Sequence, residues 1–174
     1  MRRTTSINVE HIVVTSSRPY DEVKASLESQ LGIIGNTDEL TQRWSMARAS
    51  WEQIKQAIEQ QLGTSGLSIF SKVEQGQLLS LAGKSARVIQ YAIGNPLLAI
   101  QMIEHVPEVA LYAPLRVAVY ESNDKTCVAY DRFTSLLAPH QHPQVNSIAQ
   151  LVEQKVEELV AQATAQTKKG DGVM

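Results

Sequence analysis

The stretch YAIGNPLLAIQMIEHVPEVALYAPLRVAVYESNDKTCVAYD, residues 91–131, decides the fold of this chain. It begins at the end of an apolar, β-branched segment, and the Gly-Asn-Pro at 94–96 then starts an apolar helix. Two further strands are predicted at 115–121 and 126–133, flanking a Ser-Asn-Asp-Lys sequence whose residues favour a tight turn. The stretch therefore predicts a strand, a helix and a β-hairpin in close succession, as in α+β proteins.

Hydrophobic periodicity predicts the remaining elements. β-branched and apolar runs indicate strands, and apolar residues every three or four positions indicate amphipathic helices. Residues 76–84 contain a short apolar run whose state is left open. The predicted strands are 10–16, 67–75 and 86–94, and the predicted helices are 19–31, 38–62, 96–106 and 147–163.

The order of these elements predicts the fold class. Hairpins combined with segregated helices favour an α+β fold, with a mainly antiparallel sheet and helices packed on one face. At 174 residues the chain fits a single domain spanning 1–174, with flexible tails expected at about 1–8 and 165–174.

Periodicity also predicts which side chains share a face. Alternation along the second strand places Leu67, Ile69 and Val73 on one side, and the apolar stripe of the first helix comprises Val23, Leu27 and Leu31.

An apolar stripe with heptad-like spacing runs through the predicted helix 38–62. Ser50 and Gln53 have the form of a capping box, so this segment is either one helix or two with a joint near Ser50. A second capping box is predicted to start the last helix at Ser147. The stripe either packs against the domain's own sheet or contacts another chain. Its members are Leu40, Trp44, Ala47, Trp51, Ile54 and Ile58.

Composition limits the classes of function. The net charge is −2, and the 16 Lys and Arg residues are dispersed, so a nucleic-acid-binding surface is not expected. The single cysteine, Cys127, excludes an internal disulfide and fits a reducing compartment. No signal peptide and no apolar window long enough to span a membrane are present, so a cytoplasmic protein without membrane contact is predicted. No cofactor or metal is predicted.

Two short motifs resemble those of the domain-of-unknown-function family 302. Gly94, Asn95 and Pro96 match its helix start, and the segments 113–116 and 119–121 match the first strand of its hairpin; the second strand ends in the matching pair Tyr130-Asp131. The resemblance is best over about 67–138. It implies a TATA-binding-protein-like α+β fold, often dimeric and without an established activity, to which 38–62 adds an extra helix.

The hairpin register sorts its residues onto two faces. One face is mostly apolar and is assigned to the core; its predicted pairs are Leu115–Arg132, Val117–Tyr130, Val119–Val128 and Glu121–Thr126. The other face holds small and polar residues, and three interpretations of it stay open: a solvated cross-strand ion pair, a dimer interface or a small-molecule pocket. Its predicted pairs are Arg116–Asp131, Ala118–Ala129 and Tyr120–Cys127.

Other polar residues have simpler interpretations. Gly94 and Asn95 either cap the following helix or, with its free N–H groups, hold an anion. Cys127 lacks a neighbour that would activate it as a nucleophile, so a passive strand cysteine is expected. His140 and His142 lie between prolines and are predicted to be solvated, and no further metal ligands with recognisable spacing accompany them.

The leading hypothesis is a small binding or interaction module, a homodimer that accepts an unidentified small or apolar ligand. One alternative is an enzyme of unknown reaction that uses Arg116, Asp131 and Tyr120. Its weakness is that an aspartate paired with arginine is a poor base near neutral pH. Another alternative is a structural partner of a different protein, bound through the Trp44 and Trp51 helix face.

Overall fold

A computed structural model of the protein describes residues 1–166 and contains one six-stranded sheet in the order β1-β6-β5-β4-β3-β2. The strands are β1 (His11–Ser16), β2 (Gly32–Ile33), β3 (Ser68–Val73), β4 (Val88–Gly94), β5 (Leu115–Ser122) and β6 (Lys125–Asp131). The helices are α1 (Tyr20–Glu28), α2 (Thr37–Met46), α3 (Trp51–Glu59), α4 (Gln75–Leu81), α5 (Pro96–Ile103), α6 (Phe133–Leu137) and α7 (Pro143–Thr164). Two short 3₁₀ turns occupy Pro107–Leu111 and Ala138–His140.

The predicted α+β fold is confirmed, because the helices pack on one face of a mainly antiparallel sheet. Only β2 runs parallel to its neighbour, β3. Helices α1 and α7 cover the sheet, with α5 and α6 packed against α7. The core between the two layers includes the fully buried residues Val23, Leu27, Ile89, Tyr91, Val117, Val119, Val128 and Leu137.

The hairpin register follows the prediction. Val117 lies opposite Tyr130 and Val119 opposite Val128, and all four side chains are buried. The turn places Asn123 and Asp124 at φ of 51° and 58°, a conformation that Asn and Asp tolerate better than most residues and that two-residue hairpins favour. The predicted Leu115–Arg132 pair does not form, because β6 ends at Asp131 and Arg132 instead precedes α6.

The segment predicted as helix 38–62 forms two helices, α2 and α3. The joint contains Arg48 at a φ of 49°, and the Ser50 capping box starts α3. The two-helix alternative of the sequence prediction is therefore the correct one. The prediction of one continuous apolar stripe along this segment is wrong. Helix α2 has no buried residue, Trp51 is 51% exposed, and Ile58 is the buried member of the stripe. The break rotates α2 out of line with α3, so one heptad pattern cannot describe both helices.

The alternation predicted for strand 67–75 fails at its end. Leu67 and Ile69 are buried, but Val73 is 40% exposed. The register between β3 and β4 shifts between Ile69 and Ser71, as in a β-bulge. One extra residue moves every later side chain to the opposite face, so Val73 lies on the uncovered side of the sheet.

Four further segments extend or correct the sequence prediction. Gly32 and Ile33, outside the predicted strands, form the short strand β2, and the open segment 76–84 contains most of α4. The last helix starts at Pro143 rather than Ser147, because proline is favoured in the first helical turn and the capping-box sequence lies inside the helix. The first helix ends at Glu28, before Gly32. A Cβ at Gly32 would lie 1.9 Å from the Gln61 carbonyl oxygen, so this glycine permits close backbone contact.

The flexible tail predicted at 1–8 is untested, and most of the predicted tail 165–174 lies outside the described residues.

Candidate functional site

An apolar cavity of about 190 Å³ lies where β4 ends and β5 begins. Residues 94–96 and 113–115, the two motif segments recognised in the sequence, both line it. The fold thus brings together two segments that are far apart in the chain. The other principal lining residues are Phe70, Leu98, Met102, Phe133 and Val152.

The cavity wall at 94–96 is fixed by hydrogen bonds of Asn95. Its Oδ1 accepts from the backbone N–H groups of Leu97 at 2.9 Å and Leu98 at 3.4 Å. Its Nδ2 donates to the Gly66 carbonyl oxygen at 3.0 Å. The predicted cap of α5 is therefore confirmed. Because these N–H groups already have an acceptor, the geometry does not favour an anion site at Gly94 and Asn95.

The opposite face of the sheet carries a row of side chains that crosses five strands. Hydrogen-bonded registers align Val13 with Ala129, Ala129 with Ala118, Ala118 with Gln90 and Gln90 with Val73. We call these five residues the central row. Val13 and Val73, at its two ends, are 45% and 40% exposed. The predicted small-residue floor at Ala118 and Ala129 is thus present, on the face away from α1 and α7.

The predicted Arg116–Asp131 ion pair is wrong. Both residues line one shallow depression, as the register requires. However, the Asp131 carboxylate contacts His11 Nδ1 at 2.7 Å on the neighbouring strand β1. The Arg116 side chain has no ion pair or hydrogen bond with any residue in 1–166. The sequence could not show that β1, rather than β5, supplies the partner of Asp131.

Tyr120 and Cys127 lie opposite each other, as predicted. Burial, and then the neighbouring Cys127 group, raise the pKa of the Tyr120 phenol. The Cys127 thiol is buried and lies 3.8 Å from Thr15 Oγ1. Tyr120 is four residues from Arg116 along β5, which separates their backbones by about 13 Å. The structure therefore does not form the compact group of Arg116, Asp131 and Tyr120 that the catalytic alternative requires.

A second polar cluster joins α1 to the sheet. The Tyr91 hydroxyl donates to Glu28 Oε1 at 2.9 Å, and Arg87 stacks over the Tyr20 ring at 4.4 Å. Burial, and then the Glu74 charge, raise the pKa of Tyr20 to about 12. Burial, followed by the hydrogen bond to Glu28, raises the pKa of Tyr91. Both phenols therefore stay protonated at neutral pH, and the Tyr91–Glu28 hydrogen bond connects α1 to the sheet.

The histidines predicted to be solvated make specific contacts. The His142 ring stacks on His105 with centroids 4.8 Å apart, and His140 lies 3.6 Å from a Glu108 oxygen. Across residues 1–166, no group of three His, Cys, Asp or Glu side chains is arranged to hold a metal ion. In the same range, no helix has the length and apolar character needed to cross a membrane.

The tryptophan face of the predicted helix 38–62 is divided by the joint. Trp51 lines a broad groove of about 640 Å³ between α3 and α5, together with Leu97 and Ile100. Trp44 lies on α2 and is half-buried. The two residues therefore do not form the single face that the heptad spacing predicts.

Sequence reasoning missed most of the cavity lining. Phe70, Leu98, Met102, Phe133 and Val152 come from four different elements, and none of them belongs to a recognisable motif. The motif segments 94–96 and 113–115 were the available signal. Only the pairing of β4 with β5 shows that they meet.

Comparisons with known proteins agree with this fold. The family model described as "Domain of unknown function DUF302" matches residues 44–163. A solved structure, the uncharacterized conserved protein DUF302 from Bacillus stearothermophilus, superimposes with a TM-score of 0.61 at 18% identity. The match covers 88% of this chain and 97% of that chain. No curated protein matches the chain.

Proposed function

The chain belongs to the DUF302 family, and on that premise we propose that its Gly-Asn-Pro and Ala-Pro-Leu segments build a pocket for one small apolar ligand. The observation that carries the proposal is that residues 94–96 and 113–115 converge on the same cavity. Ligand pockets are typically concave and mostly apolar, with few polar groups.

The size of the cavity supports a small ligand. A dry apolar cavity of about 150 Å³ in another protein accepts benzene. The cavity here, about 190 Å³, is slightly larger and has an open side. It can therefore hold a ring or a short aliphatic chain, and a longer ligand would extend out of it.

The ligand proposal is tested by filling the cavity. Ala99 lines the cavity, so Ala99→Leu places extra carbons inside it. Ala161→Leu adds the same atoms to the exposed surface of α7 and is the matched control. We expect calorimetric titration with 1-octanol to show binding by the wild type and by Ala161→Leu, and at least tenfold weaker binding by Ala99→Leu. Absence of 1-octanol binding by the wild type, or equal binding by Ala99→Leu, contradicts the proposal.

A second proposal concerns self-association through the central row. The row has exposed valines at its two ends, with Ala129, Ala118 and Gln90 between them, on the face opposite to α1 and α7. Apolar surface of this kind is stabilised when it is buried against a second sheet. We propose that two copies of the chain form a homodimer through this face.

The dimer is tested by introducing a charge at the centre of the row. Ala118→Arg puts a guanidinium between the two facing sheets, whereas Ala161→Arg puts one on the exposed side of α7. Sedimentation velocity over a concentration series is expected to show a dimer for the wild type and Ala161→Arg, and a monomer for Ala118→Arg. A wild type that stays monomeric, or a distribution unchanged by Ala118→Arg, rejects association through this face.

A further inference from the structure

We propose that the ligand of the cavity is a single-chain anionic amphiphile whose aliphatic tail enters the cavity and whose carboxylate binds Arg116. This inference rests on the proposed function, since it requires the cavity to bind a ligand. It adds the chemical class of that ligand and assigns the polar group that recognises it.

The position of Gly94 connects the cavity to the uncovered face of the sheet. Ala92 and Gly94 lie on the same side of β4, because strand residues alternate between faces. A Cβ added at Gly94 would lie 3.5 Å from the Phe70 ring and 3.6 Å from Pro114 Cβ. All three of Phe70, Gly94 and Pro114 line the cavity. The cavity therefore borders the uncovered side of β4 at Gly94, which is where the proposed head group would leave it.

Arg116 lies in the depression beside this cavity. Register pairs Ala92 with Arg116, and Pro114 precedes Arg116 by two residues. Pro114 and Leu115 line both the cavity and the depression that Arg116 lines, so the two spaces are adjacent. The guanidinium is thus placed to contact a head group at this edge of the cavity, while the Leu115 side chain is buried in the core.

The charge on Arg116 is available. Other arginines near the sheet have partners: Arg87 pairs with Asp21 and Glu121, and Arg132 pairs with Glu10. Arg116 pairs with none of the residues in 1–166, and its carboxylate neighbour Asp131 already binds His11. A guanidinium in this state suits a carboxylate, with which it forms paired, charge-assisted hydrogen bonds.

The surroundings of Ala92 leave space for the head group. Ala92 lies between Arg116 on β5 and Ser71 on β3, and the methyl side chain is the smallest that a non-glycine residue can present. Ser71 is exposed and adds a hydroxyl donor on the side away from Arg116. A carboxylate above Ala92 would therefore have a cation on one side and a hydroxyl on the other.

The cavity limits the tail to one short chain. At about 190 Å³ it exceeds the roughly 150 Å³ that accommodate benzene, so a chain of about six to eight carbons is appropriate. The lining has almost no polar groups that could bind a hydroxylated or branched polar tail. Octanoate is accordingly the probe, and 1-octanol is its uncharged equivalent.

The test compares octanoate with 1-octanol by calorimetry at pH 8, where octanoate is ionised. We expect the wild type to bind octanoate at least tenfold more tightly than 1-octanol, since a hydrogen bond to a charged group contributes roughly a factor of ten or more. Arg116→Gln should reduce octanoate affinity to that of 1-octanol and leave 1-octanol binding unchanged. Arg43→Gln, on the exposed helix α2, removes the same charge elsewhere and should change neither affinity.

The outcomes separate this inference from the proposed function. If both ligands bind the wild type equally, or if Arg116→Gln retains the octanoate preference, the proposal of an anionic head group is wrong. The proposal of an apolar pocket is unaffected by that result. If neither ligand binds, both proposals fail. Cosedimentation with phosphatidylglycerol vesicles without an octanoate preference would indicate a membrane surface and overturn the inference. Because Arg116 borders the central row, each titration is run at a concentration whose association state is known from sedimentation.

Discussion

The cap of α5 allows a quantitative test of how this site is held in place. Asn95→Ala removes the acceptor for the Leu97 and Leu98 N–H groups, at a cost of about 1 kcal/mol for a typical cap. It also leaves the part-buried Gly66 carbonyl without its donor, which adds about 1 kcal/mol. The expected loss of unfolding free energy is therefore about 2 kcal/mol, or roughly 4–8 °C in Tm for a domain of this size.

Asn36→Ala is the matched control for this prediction. Asn36 caps α2 in the same way, accepting from Asp38 N–H at 3.0 Å and Glu39 N–H at 3.4 Å. Because α2 has no buried residues, its fraying should change the free energy of global unfolding by less than about 0.5 kcal/mol.

Urea unfolding followed by far-UV circular dichroism measures both variants. Fluorescence is a poorer measure of the whole domain, since both tryptophans, Trp44 and Trp51, lie in α2 and α3. The reasoning is refuted if Asn95→Ala unfolds within 0.5 kcal/mol of the wild type. It is also refuted if the two variants are equally destabilised, since packing of the capped helix would then not matter.

Three further predictions address the cavity, the buried phenols and the tryptophan face. Gly94→Ala should raise the free energy of unfolding by about 0.4–1 kcal/mol, since the added Cβ would make ordinary contacts. The same variant should weaken 1-octanol binding. A reduced thermal stability would contradict the stability prediction. The pKa of Tyr20 in the folded protein is about 12, above its usual 10, so the stability that this phenol contributes is complete below pH 10 and is lost as the pH rises towards 12. Tyr20→Phe should therefore flatten the decline of the urea midpoint over that pH range. An unchanged slope would refute the assignment. Trp44→Asp should leave global unfolding by circular dichroism within about 1 kcal/mol of the wild type, because Trp44 lies on an unpacked helix; unfolding of the domain would place it in the core.

Local sequence patterns predict the structure correctly where a single short-range interaction determines it. The turn at Asn123 and Asp124 and the cap at Asn95 depend on residues within a few positions, so their sequences predict them correctly. The hairpin register follows directly from the turn, which is why Val117–Tyr130 and its neighbours are paired as expected.

The errors occur where a distant segment changes a local pattern. Simple alternation places Val73 on the same side as Leu67 and Ile69, but a bulge that only the pairing of β3 with β4 defines moves it to the other face. The hairpin alone pairs Asp131 with Arg116, whereas in the folded chain β1 brings His11 to the same carboxylate. The heptad spacing predicts one surface from Leu40 to Ile58, but the joint at Arg48 separates its two halves.

The amino-acid order by itself determined most of the strands and helices, the family and the two faces of the hairpin, because helix caps, turns and alternation act over a few residues. Tertiary structure decided that residues 94–96 and 113–115 line one cavity, and that Arg116 lies in the adjacent depression without an ion pair to any residue in 1–166. The physical reason is that a cavity and an ion pair depend on distances between strands that are remote in the chain. Such distances are set only when burial of the common core fixes the order of the sheet.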